Sequence, residues 1–244
     1  MERRLRASKL VETLDLLQRR ITERFPDARL GDLAEELTET ARLTARRAKG
    51  VRRPYVGVRA LVLLAALAGV AGYGALGLSI GFADLFDPEM GVGELTQALE
   101  SAVNLLILAG VAIWFLLGLE ERLKRRRVFT YLHELRAFAH VIDMHQLTKD
   151  PTSILAGGPR TKSSPRREMT PFELARYLDY CTEMLALVGK LAALYADDMR
   201  DARVIDAVND IEALTTHLGR KIWQKIMIIE TERGPAESGA PSLG

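Results

Sequence analysis

The chain has 244 residues, a formal net charge of +2 and a single cysteine. A net charge so near zero gives no general electrostatic case for nucleic-acid binding, and one cysteine excludes an internal disulfide. The average composition, 48% hydrophobic and 27% charged, is ordinary for a soluble protein but conceals two long apolar runs within a charge-rich chain.

Residues 1–59 predict two short amphipathic helices on the cytoplasmic side. Apolar residues recur at helical spacing up to Phe25, where Pro26 interrupts the pattern. The second helix starts near Asp32 and ends in the basic run before Pro54. Two placements are open. The arginine-rich faces lie on an anionic inner leaflet, or the apolar stripes pack onto the C-terminal helices, which is the favoured interpretation.

Two apolar runs predict a transmembrane hairpin over residues 60–119. Residues 60–82 would form a helix of about 35 Å, long enough for a hydrocarbon core of about 30 Å. Residues 102–119 are near the lower length limit and contain one polar residue, Asn104. Two buried core helices are the alternative, which the length of the first run disfavours. Neither run carries a central ionisable residue, which argues against a proton-coupled transporter but leaves open a pore lined by small residues.

Charged residues flanking these runs predict the orientation. The connecting loop, residues 83–101, is acidic and has no Lys or Arg, whereas basic residues lie on the other side of both runs. The positive-inside rule therefore places both termini in the cytoplasm. We name as the basic collar Arg52, Arg53, Arg59, Arg122, Lys124, Arg125, Arg126 and Arg127.

Small residues recur in the first run at spacings that permit close helix packing in a membrane. They are Ala65, Gly69, Gly72, Gly77 and Gly81. This pattern fits a contact helix, either within the hairpin or between protomers of a homo-oligomer. An abundance of Ala and Gly without any such role is the equally weighted alternative.

Residues 120–231 predict a cytoplasmic helical bundle or antiparallel coiled coil. No Gly or Pro interrupts the chain from the second run until Pro151, so one helix should continue out of the membrane. Residues 151–169 have the composition of a linker, and residues 232–244 that of a disordered tail. The fold class is therefore all-α, a two-span hairpin with a helical bundle.

Two further helices complete the predicted bundle. Thr170, Pro171 and Glu173 form a start signal with a capping box, followed by one continuous apolar stripe. The last helix, from about Asp201 to Glu230, has a heptad-like apolar seam with two polar interruptions.

Three of the four histidines cluster at His133, His140 and His145. On a helix the first two share a face, and His145 points about 140° from His140. The favoured interpretation is that they form hydrogen bonds in a helix–helix interface, with partners among Tyr177, Asp179 and Tyr180. Titration of these histidines in a helical stalk, which would bias packing, is an intermediate possibility.

A metal site would need ligands from two helices. The candidate metal quartet is His140 with Asp143 on one helix, and Asp179 with Glu183 on the helix that begins at Thr170. The spacing matches neither the HExxH motif nor the Glu-x-x-His pattern of ferritin-like sites. A metal ion is therefore the only cofactor that the sequence suggests, and it is not the favoured interpretation.

No catalytic motif is present in the sequence. It contains no GxSxG, no CxxC and no P-loop, and GGPRTKSS fails the P-loop pattern. Cys181 lies on an apolar stripe, which predicts a buried structural thiol. We therefore expect a protein that is not an enzyme.

Four blocks of sequence carry a resemblance to a known family. They are RFPDARLGDLAEELTETARLTARRA, the RRR that follows the second run, HELRAFAHVIDMHQLTKDP, and TPFELARYLDYCTEMLALVGKLAALYA. Together they resemble an uncharacterised family of bacterial two-span membrane proteins. The resemblance covers most of the chain and implies the hairpin topology and a bacterial inner-membrane location, but no activity. In architecture alone, the chain also resembles two-span effector domains of bacterial nucleotide-signalling systems.

These observations favour an oligomeric scaffold or signalling protein of the inner membrane, with an anionic leaflet as its lipid partner and an unidentified protein partner. A pore-forming or channel-like effector is the alternative. The second alternative is a metal-binding sensor or enzyme that uses the block from His133 to His145.

Overall fold

The computed structural model describes residues 5–51, 54–79, 92–147, 149, 151, 162, 169–199 and 201–233. The all-α class is confirmed, because these residues contain helices and no β-strand. The helices are α1 (Ala7–Arg24), α2 (Arg29–Val51), α3 (Val56–Ser79), α4 (Val92–Leu147), α5 (Pro171–Asp198) and α6 (Ala202–Arg233).

The chain forms two compact units. We call the first, Met1–Arg52 with Arg127–Gly244, the bundle unit, and the second, Arg53–Arg126, the apolar unit. Helix α4 contributes residues to both. It confirms the prediction that one helix continues past the second apolar run without a break.

Helices α1 and α2 bury their apolar stripes in the bundle. Leu10, Leu14, Leu17 and Ile21 of α1 are all buried, and α1 and α2 pack against each other and against α5. The favoured prediction, packing onto the C-terminal helices, is confirmed. The same apolar side chains are thereby unavailable to a lipid surface.

The bundle part of α4 presents one narrow stripe to the core. Its buried members recur three or four residues apart, so they lie along one side of the helix. They are Val128, Leu132, Leu135, Phe138, Ala139, Ile142 and Gln146.

Helix α5 begins with the predicted capping box. The Thr170 hydroxyl accepts a hydrogen bond from the Glu173 backbone N–H at 3.2 Å, and the Glu173 carboxylate accepts one from the Thr170 backbone N–H at 2.8 Å. Pro171 occupies the first turn, as predicted. These contacts satisfy backbone donors that a helix leaves unpaired at its start.

Helices α5 and α6 form the most extensive helix pair of the bundle. The predicted apolar stripe of α5 is buried, as is the apolar seam of α6. At Gly189 a Cβ atom would come within 3.0 Å of Thr215 Oγ1, so only glycine permits this approach without a shift of Thr215. The two polar interruptions of the seam, Thr215 and Lys225, both form hydrogen bonds. The Thr215 hydroxyl donates to the Glu212 carbonyl at 3.1 Å, and Lys225 Nζ donates to Gln146 Oε1 at 2.6 Å and to the Gln146 carbonyl at 3.1 Å.

The apolar unit contains α3 and the first part of α4. Large apolar side chains stand exposed on both helices, among them Leu63 (64%), Leu64 (65%) and Leu108 (68%). In the described part of the chain, no helix combines the length and the average hydropathy required to cross a membrane.

Several predicted features lie outside the described residues. These are the end of the first apolar run with Gly81, the collar members Arg52 and Arg53, residues 83–91 of the acidic loop, and most of the linker and the C-terminal tail. The other predicted loop residues, 92–101, are helical and form the first part of α4.

Candidate functional site

The histidine block does not form the predicted helix–helix interface. His133 and His140 are exposed on α4, and only His145 is half-buried. The reason is the helix phase, since both exposed histidines lie about 120–140° from the centre of the buried stripe of α4. The prediction that they are interface hydrogen-bonding groups is therefore wrong for His133 and His140.

The acids of the candidate metal quartet have other partners. The Asp179 carboxylate pairs with Arg176 at 3.0 Å, and the Glu183 carboxylate pairs with Arg20 at 2.6 Å. The Asp143 carboxylate accepts a hydrogen bond at 2.6 Å from the side-chain amide of Gln146, on the same helix. Within the described ranges, no group of three or more His, Cys, Asp or Glu is arranged to hold a metal ion. The quartet stays a prediction, and these pairings do not favour it.

Cys181 is a buried structural thiol, as predicted. Its side chain is fully buried in the core of the bundle unit. Burial raises the pKa of this thiol to about 12, so it remains protonated at neutral pH. A nucleophilic cysteine has the opposite properties, a lowered pKa and access to solvent.

Glu120 organises the part of the basic collar that belongs to the apolar unit. Its carboxylate accepts hydrogen bonds from Lys124 Nζ at 2.7 Å, Arg59 Nε at 2.9 Å and the Tyr55 backbone N–H at 3.2 Å. The bonds from Lys124 and Arg59 lower the pKa of Glu120 to about 2. Sequence reasoning missed this acid, although its position four residues before Lys124 is a recognisable ion-pair signal.

Aromatic rings accompany the collar. The Lys124 ammonium lies 5.4 Å from the centre of the Tyr55 ring, and the Arg122 guanidinium lies 4.9 Å from that of Phe115. Each contact is a cation–π interaction. The collar is therefore a mixed belt of cations, one acid and aromatic rings rather than a uniform band of positive charge.

The small residues of α3 leave open space beside them. No described atom lies within 4 Å of a Cβ placed on Gly69 or Gly72, and Ala65 is exposed. Gly77 lies in the last part of α3. Gly69 and Gly72 therefore form no close contact with another described element of the chain.

Arg47 forms a polar contact that the sequence did not reveal. Its guanidinium pairs with the Glu134 carboxylate at 2.7 Å and lies 4.3 Å from the centre of the Tyr131 ring. Tyr131 stacks on the buried Tyr195 with ring centres 5.8 Å apart. One arginine thereby joins α2, α4 and α5.

A cationic cleft lies between the α1–α2 turn, the end of α4 and the start of α5. Its volume is about 710 Å³, and its lining includes Arg24, Arg29, His145 and Lys149. Burial, Arg29 and Lys149 together lower the pKa of His145. Sequence reasoning missed the cleft because its cations come from separate segments, none of which carries a motif.

Comparison with known proteins yields no relative. No protein-family model matches the chain, and no curated protein and no solved structure is significantly similar to it.

Proposed function

We propose that this chain is an integral protein of a bacterial inner membrane with both termini in the cytoplasm. The apolar unit acts as a two-span hairpin, and the bundle unit acts as a cytoplasmic scaffold or signalling module within a homo-oligomer. The exposure of large apolar side chains throughout the apolar unit is the observation that carries the proposal.

Exposure of this apolar surface to water would be energetically unfavourable. Soluble monomers rarely expose contiguous apolar patches larger than a few hundred Å², yet consecutive turns of α3 and α4 expose leucine, isoleucine and valine. Leu106, Ile107 and Val111 are each 60% exposed. A bilayer covers such side chains while the helix satisfies its own backbone hydrogen bonds.

Helix length also supports a membrane span. The part of α3 that belongs to the apolar run, residues 60–79, measures about 30 Å at 1.5 Å per residue, and the run continues to Phe82, beyond the described residues. The hydrocarbon core to be crossed is about 30 Å thick.

The collar and its aromatic rings support the orientation. Arg59 and Lys124 lie at the ends of the two apolar runs that the positive-inside rule places in the cytoplasm. Trp114 is 71% exposed and precedes Glu120 by about 9 Å along the helix. Tryptophan is enriched where transmembrane helices cross the membrane–water interface.

Labelling of single cysteines tests the location. The buried native Cys181 gives a low background, so Gln97→Cys, between the runs, and Glu230→Cys, in α6, serve as reporters. In intact cells a membrane-impermeant maleimide should label residue 97 alone, and residue 230 only after permeabilisation. Release of the chain by alkaline carbonate, or equal labelling of both positions in intact cells, would refute the proposal.

Cross-linking tests the homo-oligomer. Because the Gly69 and Gly72 faces are open in the protomer, Gly69→Leu with Gly72→Leu should reduce cross-linked dimer several-fold in membranes. Gly110→Leu, on α4, also has open space around it and serves as the matched control. An unchanged amount of cross-linked dimer in the double variant would show that α3 does not form the interface.

A further inference from the structure

The α1–α2 turn is packed against α5 where it borders the cationic cleft. Phe25 ends α1 with its backbone N–H donating to the Ile21 carbonyl at 2.8 Å. The Phe25 ring meets Tyr177 edge-on at 5.6 Å and Tyr180 at 6.3 Å. Phe25 and Tyr177 both line the cleft, so it has an apolar floor beside the turn.

Positive charge in the cleft exceeds negative charge. Three fixed cations, Arg24, Arg29 and Lys149, line it together with two acids, Asp27 and Glu173. Glu173 already accepts hydrogen bonds from the Thr170 backbone N–H at 2.8 Å and hydroxyl at 2.9 Å.

None of these three cations forms an ion pair with an acid in the part of the chain that the structure describes, although the charge of Arg24 contributes to lowering the pKa of Glu173. Arg24 lies over the Phe172 ring at 5.6 Å, and the Lys149 ammonium lies over the Tyr177 ring at 5.3 Å. No carboxylate of a described residue forms an ion pair with either of them or with Arg29. Arg29 and Lys149, which form no ion pair with a described acid, can therefore form charge-assisted hydrogen bonds to an incoming anion.

The lowered pKa of His145 is consistent with this positive field. Burial lowers it first, and the charges of Arg29 and Lys149 lower it further. The imidazole is therefore predominantly neutral at pH 7 and offers both a hydrogen-bond donor and an acceptor.

We propose that this cleft is a binding site for a small phosphate ester of about mononucleotide size. Arg29 and Lys149 bind the phosphate, and the apolar floor with Met144 and Met169 receives the organic part. A volume of about 710 Å³ is within the range of small-molecule sites, about 300–1,000 Å³. Arginine suits a phosphate because its planar fork donates two parallel hydrogen bonds. The site is independent of whether the apolar unit enters a membrane.

Phosphate chemistry has two possible sources here, a free metabolite and a phospholipid headgroup, and calorimetry separates them. The full chain in neutral detergent is titrated with inorganic phosphate, with adenosine monophosphate, and with nanodiscs containing phosphatidic acid or only phosphatidylcholine. Saturable binding of the mononucleotide, tighter than that of phosphate, identifies a free ester. Binding confined to phosphatidic acid nanodiscs identifies a headgroup.

Variants decide whether the cleft is responsible. Arg29→Ala and Lys149→Ala remove side chains outside the core and should each weaken binding about tenfold, with an unchanged melting temperature. Arg19→Ala is the matched control, an exposed arginine on α1 away from the cleft. The proposal is overturned if none of the three phosphate probes binds saturably, or if Arg19→Ala weakens binding as much as Arg29→Ala.

Discussion

Leucine has opposite surroundings in the two units of this molecule. Leu178 of the bundle unit is 0% exposed, whereas Leu64 of the apolar unit is 65% exposed. Both lie on long helices, and both helices are rich in leucine. In the bundle unit, neighbouring helices cover these side chains. In the apolar unit another medium or another chain must cover them, and that requirement is the basis of the membrane proposal.

Polar groups show the same division. Arg47 and Lys225 of the bundle unit reach between helices and hold them in register. In the apolar unit, polar contacts concentrate around Glu120, where the apolar runs end. Polar contacts in the bundle unit therefore connect its helices to one another. In the apolar unit they mark the boundary of the apolar surface.

Truncation of a core side chain should lower stability more than any other change proposed here. It should also show the difference between the two units directly. Leu178→Ala is expected to lower the free energy of unfolding of the bundle by about 2–5 kcal/mol because it leaves a cavity among buried side chains. Cys181 reports bundle opening, so its maleimide labelling rate in urea measures the loss. Leu64→Ala, the matched control, should leave that rate unchanged, and equal effects of the two variants would abolish the distinction between the units.

Removal of Arg47 should have the next largest effect. Arg47→Ala breaks a half-buried ion pair and a cation–π contact, with an expected loss of about 1–3 kcal/mol in unfolding free energy. Arg47→Lys should recover only part of it, because an ammonium cannot reproduce the planar contact. Urea denaturation checks both, and the exposed Arg46→Ala should change stability by less than about 0.5 kcal/mol.

High pH should weaken the bundle unit through Cys181. The unfolded thiol loses its proton above about pH 9, while burial keeps the folded thiol protonated to about 12. The unfolded state then binds fewer protons, so unfolding free energy falls by about 1.4 kcal/mol per pH unit within that window.

Urea denaturation from pH 8.5 to 11, followed by circular dichroism, measures this slope. Cys181→Ala should remove the cysteine contribution. Tyr195, whose pKa burial raises from 10.0 to about 12, should retain a slope of the same sign above pH 10. Identical slopes in the variant and the parent protein would contradict the assignment to Cys181.

The smallest effect is expected at Glu120. Glu120→Gln removes the acceptor charge shared by Arg59 and Lys124, and ion pairs near a surface contribute less than about 1 kcal/mol. Spin labels at Gly57→Cys and Gly118→Cys in a Cys181→Ala background should show a broader distance distribution. Glu121→Gln, an exposed neighbour, is the control, and a narrow distribution in Glu120→Gln would assign the ordering of these helix ends to other contacts.

Local signals predicted the bundle helices well. The α1–α2 break at Pro26, the start of α5 at Thr170, and the buried seam of α6 follow from turn chemistry, capping and helical periodicity. These depend on residues close together in sequence, which explains the agreement. The two-span hairpin remains a proposal, because no described helix combines the length and the hydropathy required to cross a membrane and part of the first run lies outside the described residues.

The sites were predicted less well because they depend on helix phase and on distant segments. His133 and His140 were candidate site residues because histidine is rare in this chain. They are exposed because the apolar stripe of α4 lies on the other side of the helix. Arg29 and Lys149 lie far apart in the sequence, and only the packed bundle brings both to one cleft. Glu183 was a candidate metal ligand, but its partner Arg20 comes from α1, 163 residues away.

The contact between Lys225 and Gln146 makes the bundle selective for one alignment of its last helix. Lys225 donates to the carbonyl and the side chain of Gln146 near the end of α4, where the helix dipole favours a cation. Sliding α6 by one heptad in either direction would bring Leu218 or Glu232 to that place. The leucine would leave the side-chain oxygen of the buried Gln146 without the Lys225 donor, and the glutamate would place a second acceptor there. The apolar residues of the seam are similar and would by themselves allow several alignments of α6. The contact between Lys225 and Gln146 favours one of them.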